Sequence, residues 1–162
     1  MTERLWAPWR LEYIRGADED TDCFLCGAAP ESAGDEETLV VARAGHAFVV
    51  LNRFPYASGH LLVAPYRHVG DLAELDEAEV LETHRLATAA LGALAETMAP
   101  QGYNLGWNLG RIAGAGLVDH VHLHVVPRWA GDTNFMPVLA DVKVMPEHLL
   151  ETRRKLAAAW PR

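Results

Sequence analysis

The chain has 162 residues, 50% of them hydrophobic, enough to build one compact core. Its formal charge of −8 excludes the sequence-independent grip on nucleic acid that clustered Lys and Arg provide, yet leaves room for a small anionic ligand in a locally polarised site. The first residues, MTERLWAPWR, lack the apolar run of a signal peptide, and no stretch approaches the ~20 apolar residues of a membrane span, so a cytoplasmic protein without a membrane partner is expected.

In chain order, Pro8 is placed to start a short helix through Trp9, Leu11 and Ile14. Residues 17–37 read as a loop that carries both cysteines, Cys23 and Cys26, in DCFLC. In a cytoplasmic chain that spacing points to a metal site or a redox pair more than to a structural disulfide. The flanking segments, GADEDTD and PESAGDEE, are not the strand and helix of a thioredoxin-like pair, which favours metal. TLVVARAGHAFVVLN reads as two strands around Ala44 and Gly45, and HLLVAPYRHV as a third, with Pro65 near its end. From Asp76, a candidate N-cap, to Met98, the residues Val80, Leu81, His84, Leu86, Leu91, Leu94 and Met98 recur at helical spacing. YNLGWNLG is a fourth strand, GRIAGAG a glycine-rich loop, DHVHLHVVPRW a fifth strand, and a second helix runs from about Pro146 to Trp160. The expected fold class is α+β: a roughly five-stranded, mainly antiparallel sheet with one long helix and a C-terminal helix, one face covered by helices and the other carrying a site. One domain is expected over 1–162, with an N-terminal helix and CxxC loop at 1–37, a core at 38–135 and a tail and helix at 136–162.

The fifth strand is the informative one. Side chains alternate faces along a strand, so His120, His122 and His124 share one face while Val121, Leu123 and Val125 share the other. Three neutral imidazoles buried without partners would cost several hydrogen bonds, so that face is expected to look into a cleft, a metal or a ligand.

The H-φ-H-φ-H-φ-φ pattern from His120 to Val126 resembles the histidine triad (HIT) family of nucleotide hydrolases and transferases. NRFPYASGHLLVAPYRHV and GYNLGWNLGRIAGAGLVDHVHLHVVPRW are similar to the family's two halves, and together they cover roughly residues 38–135. RLWAPWR and PRWAGDTNF resemble in particular the prokaryotic diadenosine-tetraphosphate phosphorylase-like branch. The resemblance implies attack by an uncharged imidazole on the α-phosphorus of an adenosine polyphosphate or AMP conjugate, giving a covalent nucleotidyl-histidine that an acceptor then resolves. It maps the nucleophile to His122, phosphate contact or assistance to the leaving group to His124, and a further histidine of the site to His60, for which a purely structural role is the competing reading. Asn52 and Asn108 match positions near the ribose and phosphates, Trp129 is counted with them, and Gly110, Gly114 and Gly116 form a loop whose backbone N–H groups approach phosphate oxygens. Where hydrolases of the family carry a polar side chain, often Gln, this loop offers Ala115 and Gly116, which leaves phosphorolysis or another transfer open.

CxxC-bearing relatives bind structural zinc, and the resemblance assigns that site here to Cys23, Cys26, His68 and His120. A zinc-finger pairing of the CxxC with His120 and His124 fails because 93 residues intervene and the histidines lie on a strand. No organic cofactor is expected. The resemblance also implies a homodimer, with Trp129, Phe135 and Trp160 offering apolar surface. Two competing functions remain: a nucleotide-binding or sensing module with little turnover, and a tri-histidine metalloenzyme. The second is disfavoured because alternate strand residues lie ~6.5–7 Å apart, too far for all three to reach one ion.

Overall fold

A computed structural model describes residues 23–132 and 147–161. The helix expected at Pro8, the RLWAPWR segment and Phe135 lie outside the described residues. Strands β1 (Val40–Arg43), β2 (Ala47–Leu51), β3 (Leu61–Pro65), β4 (Gly102–Trp107) and β5 (Leu123–Arg128) form one sheet in the order β1-β2-β3-β5-β4, antiparallel at every pairing. The α+β expectation holds. β2 and β3, AFVVL and LLVAP, are buried along their whole length, as continuous apolar runs at the centre of a doubly covered sheet should be.

Residues directly opposite one another share a face. Val49, Val63 and Leu123 form one row across β2, β3 and β5, Leu51, Leu61 and Val125 a second, and all six belong to the hydrophobic core. On the other face Val50, Leu62, His124 and Gly106 stand side by side. Register therefore delivers His124 beside a glycine, where even an added Cβ would find open space.

The long helix runs from Glu77 to Met98 and starts with the capping box that Asp76 and Glu79 build between them. Buried Glu79 also receives both guanidinium arms of Arg67, at 2.7 and 2.6 Å, and Glu82 accepts the backbone N–H groups of His46 and Ala47 in the β1–β2 turn. These contacts lock the helix onto the sheet, where Leu86, Ala90, Ala93 and Leu94 enter the core. The last helix, Leu149–Ala158, buries Leu156 and donates from Arg153 to the Val40 carbonyl at 2.6 Å. Trp160, half-buried, packs against the same core. Among the described residues no helix is long and apolar enough to cross a membrane.

Two local expectations need correction. The segment after Cys23 is not plain loop: it forms α1 (Phe24–Ala28), a single 3₁₀ turn and α2 (Asp35–Thr38), because Cys23 caps α1 and buried Leu25 and Ala28 anchor it to the core. With these, the long helix is α3 and the last is α4. β5 begins only at Leu123, so of the three histidines His124 alone lies within the strand, while His120 and His122 lie in the irregular segment leading into it. The ladders of β5 with both neighbours end at Leu123, opposite Trp107 of β4 and Val63 of β3, which leaves that approach without a ladder.

Candidate active site and metal centre

Two chain approaches to the sheet meet below the histidines. His68 follows β3 and His120 precedes β5; the Val121 N–H donates to the Val69 carbonyl at 2.8 Å, tying them together. Gly70 allows the closeness, since a Cβ there would sit 3.3 Å from Asp119 Cα. Against this pair lies α1, whose N-cap Cys23 accepts from the Cys26 N–H at 3.4 Å. Cys23 Sγ is 3.2 Å from His120 Nδ1, Cys26 Sγ is 3.2 Å from His68 Nδ1 and 3.6 Å from His120 Nδ1, and the four ligand atoms lie within 4.8 Å of one another. A zinc tetrahedron with Zn–S of about 2.3 Å and Zn–N of about 2.0–2.1 Å has edges of roughly 3.3–3.8 Å, so the donor set fits that ion.

The protonation pattern fits as well. His120 Nε2 lies 2.9 Å from the Pro65 carbonyl, which only accepts, so Nε2 carries the proton and Nδ1 presents its lone pair to the thiols. Burial lowers the His120 pKa, keeping the ring neutral as a ligand must be. The Cys26 thiol is pushed up to about 11, chiefly by burial and then by Cys23 beside it. Two adjacent thiolates are unfavourable alone, and a dication between them reverses the sign of that interaction.

His122 Nδ1 is 2.8 Å from the His120 carbonyl oxygen. The same reasoning places its proton on Nδ1 and leaves Nε2 unprotonated. Desolvation lowers the His122 pKa, with the His120 carbonyl opposing, so the ring stays neutral near pH 7. One residue thus faces the Cys/His cluster with its side chain and sets the neighbouring imidazole's tautomer with its backbone.

A second relay fixes His124. The backbone N–H of Tyr56 donates to His60 Nδ1 at 3.0 Å, which puts the His60 proton on Nε2. His60 Nε2 is 2.9 Å from His124 Nδ1, so His124 accepts there and carries its own proton on Nε2. The His122 and His124 rings meet edge to face at 4.9 Å. A neutral lone pair on one imidazole and an N–H on its neighbour amount to a nucleophile beside a hydrogen-bond donor for the leaving oxygen. Gly59 makes the relay possible: its φ is +77°, and a Cβ there would come within 2.6 Å of Met98 Sδ and 2.9 Å of Leu94 Cδ2.

The remaining candidates divide. Asn52 buttresses His60, its amide nitrogen 3.3 Å from His60 Nδ1. The Asn108 amide nitrogen lies 3.3 Å from both the Tyr56 hydroxyl and His124 Nε2, so a proton on His124 Nε2 requires that amide to turn its oxygen toward the ring. Gly110 and Gly114 have φ of +79° and +89°, and Gly116 is half-buried without a positive φ. The loop closes on itself: the Gly114 N–H donates to Arg111 O and that of Ala115 to Gly110 O, so those amides are engaged internally. The hydrogen bonds of Trp129 run to Met98 O and Asp132, joining the end of β5 to α3 and not to the histidines. Tyr56 was not singled out in the sequence, yet its ring stacks on His60 and His124 with centroids 4.6 and 5.7 Å away. Its place four residues before the Gly-His histidine is the only signal that pointed there.

Comparison with known proteins agrees with this geometry. Residues 33–131 match the model of the HIT domain. A Mycobacterium tuberculosis protein named AP-4-A phosphorylase is 42% identical over 166 residues, covering 99% of this chain and 85% of its own. The Schizosaccharomyces pombe adenosine 5'-monophosphoramidase is 34% identical over 109 residues, 65% of this chain and 74% of its own. A crystal structure of a Zn-bound histidine triad family protein from Mycobacterium smegmatis superposes with a TM-score of 0.67 at 27% identity, covering 85% of this chain and 92% of that one. With the three alternating histidines, the upstream Gly-His and the five-stranded sheet all in place, this chain belongs to the HIT domain family.

Proposed function

We propose that the protein is a nucleotidyl-transferring enzyme that cleaves adenosine polyphosphates of the diadenosine-tetraphosphate type, or AMP conjugates, at the α-phosphate, with inorganic phosphate as the acceptor. The observation that carries the reading is the pair of opposed tautomers: Nε2 of His122 bare, Nε2 of His124 protonated. In the first step His122 Nε2 forms a bond to the α-phosphorus, the bond to the bridging oxygen breaks, and the departing polyphosphate oxygen leaves as its anion while accepting a hydrogen bond from His124 Nε2–H. In the second, phosphate attacks the same phosphorus, the P–N bond breaks, and His122 is restored. Diadenosine tetraphosphate and phosphate then yield ATP and ADP. The similarity to the phosphorylase supports phosphate over water, and the small Ala115 and Gly116 leave room where a Gln would stand.

Zinc held by Cys23, Cys26, His68 and His120 belongs to the same reading. With four protein ligands it has no open position for substrate and serves structure. A homodimer completes it. β4 is an edge strand whose Asn104, Leu105 and Gly106 are exposed, and Leu109 and Ile112 beyond it are exposed too, so a second copy is better accommodated there than at Trp129 or Trp160.

The test is product analysis. Diadenosine tetraphosphate with inorganic phosphate should give ADP and ATP in equal amounts, and omitting phosphate should stop turnover. AMP and ATP formed at the same rate without phosphate would make the enzyme a hydrolase.

A further inference from the structure

The zinc reading leaves one question of physics unanswered. α1 is five residues long, far too short to hold its shape in isolation, yet it must keep two thiolates in register with histidines from two distant loops. The metal would hold its N-terminal end through Cys23. Arg43 holds the other end.

Arg43 is the last residue of β1, and its side chain is only 13% exposed. One guanidinium nitrogen donates to Ala29 O at 2.5 Å, and the second to Ala28 O at 2.9 Å and Pro30 O at 3.4 Å. The first two are the carbonyls that close α1 and that the helix itself leaves without partners, while Pro30 O also accepts from the Ala33 N–H of the following 3₁₀ turn. The fan of donors on a planar guanidinium matches them as a single point charge does not. The Nε–H donates to Asp35 at 2.9 Å, and Arg153 from α4 lies 3.7 Å from the other oxygen of that carboxylate. Arg43 is thus braced by β1 on one side and by a carboxylate tied to the C-terminal helix on the other.

We propose that Arg43 is a positioning residue for the metal centre: by clamping the C-terminal carbonyls of α1 to the sheet, it presets Cys23 and Cys26 for the ion. The proposal rests on the zinc reading above and goes beyond it, since Arg43 touches neither metal ligand nor histidine. Outer-shell residues of this kind alter metal affinity by about ten- to a hundredfold when removed.

The experiment uses the full chain, stripped of metal and titrated with zinc against a chromogenic chelator, with thermal unfolding measured with and without zinc. Arg43→Gln should weaken zinc binding about ten- to a hundredfold. The rise in Tm that zinc confers should shrink accordingly, because that rise reports affinity. Arg43→Lys keeps the charge near Asp35 but cannot span three carbonyls; it should also weaken zinc, and it serves if the Gln variant does not fold. Asp35→Asn removes the ion pair and keeps the carbonyl cradle, so its zinc affinity should stay close to wild type. Variants at Arg43 that lose equal Tm with and without zinc, at unchanged affinity, would make Arg43 merely structural and overturn the proposal. So would an Asp35→Asn as damaging as Arg43→Gln. Wild type that binds no zinc would instead remove the metal reading itself.

Discussion

Replacing His60 by Phe separates the relay from general packing. The ring is fully buried and joins the Tyr56 N–H to His124 Nδ1, at 3.0 and 2.9 Å. Phenylalanine fills a similar volume but neither accepts nor donates. The variant therefore strips one donor and one acceptor of their partner in a buried place, at about 1–3 kcal/mol each, or about 2–6 kcal/mol together. For a chain of this size that lowers Tm by about 2–4 °C per kcal/mol. The chemical consequence is separate. His60→Phe removes the donor that keeps the His124 proton on Nε2, and loss of one donor to an oxygen that gains charge in the transition state costs about 10²–10³ in rate. The assay follows diadenosine tetraphosphate turnover, with kcat and KM measured separately beside Tm. The account requires kcat to fall by about 10²–10³ while KM changes by less than about tenfold. A loss carried by KM alone, or a variant as stable as wild type, would refute it.

Three further outcomes follow from the same contacts. Cys23→Ser and chelation of the wild type should each lower Tm and reduce activity together, because His120 loses a partner and its carbonyl orients His122; metal analysis should find zinc lost in Cys23→Ser and retained in His122→Asn. Stoichiometric metal that survives Cys23→Ser and disappears in His122→Asn would place the ion on the triad. Hydrogen bonds from Arg67 hold the buried Glu79 carboxyl below its ordinary pKa, so the pair's stabilisation is present above about pH 4.5 and is lost as pH falls through the lowered value. In urea unfolding, Glu79→Gln should be weaker than wild type at neutral pH, with the gap closing in acid; a gap that does not narrow as the pH falls would contradict this. Leu105→Lys on the exposed edge of β4 should turn a sedimenting dimer into a monomer, and a wild-type monomer at micromolar concentration would remove the dimer from the account.

Much of the fold was legible in the sequence because the patterns were strong and local. Asp76 announced the start of α3, and the apolar runs of β2 and β3 announced strands. The gathering of Cys23, Cys26, His68 and His120 was legible only through family resemblance, since no local rule links residues so far apart; the structure brings them together. Other features escaped. Period-two alternation placed all three histidines on one strand, but a strand exists only where a neighbour pairs with it, and the ladders of β5 with β3 and β4 both end at Leu123. α1 was read as loop because its helicity comes from a cysteine cap and from carbonyls held by Arg43, neither of which is a propensity. The partners of Trp129 and Trp160 escaped as well: one closes α3 with its indole N–H and the other packs against the core.

The most direct test is to look for the covalent intermediate. Diadenosine tetraphosphate is mixed with the enzyme without phosphate, the reaction is quenched within milliseconds to seconds, and the digested protein is analysed by mass spectrometry. The account predicts an AMP adduct on the peptide carrying His122, discharged as ADP when phosphate is added first and absent in His122→Asn. Turnover without any adduct, abolished by a chelator and restored by zinc, would contradict it and assign the chemistry to the metal.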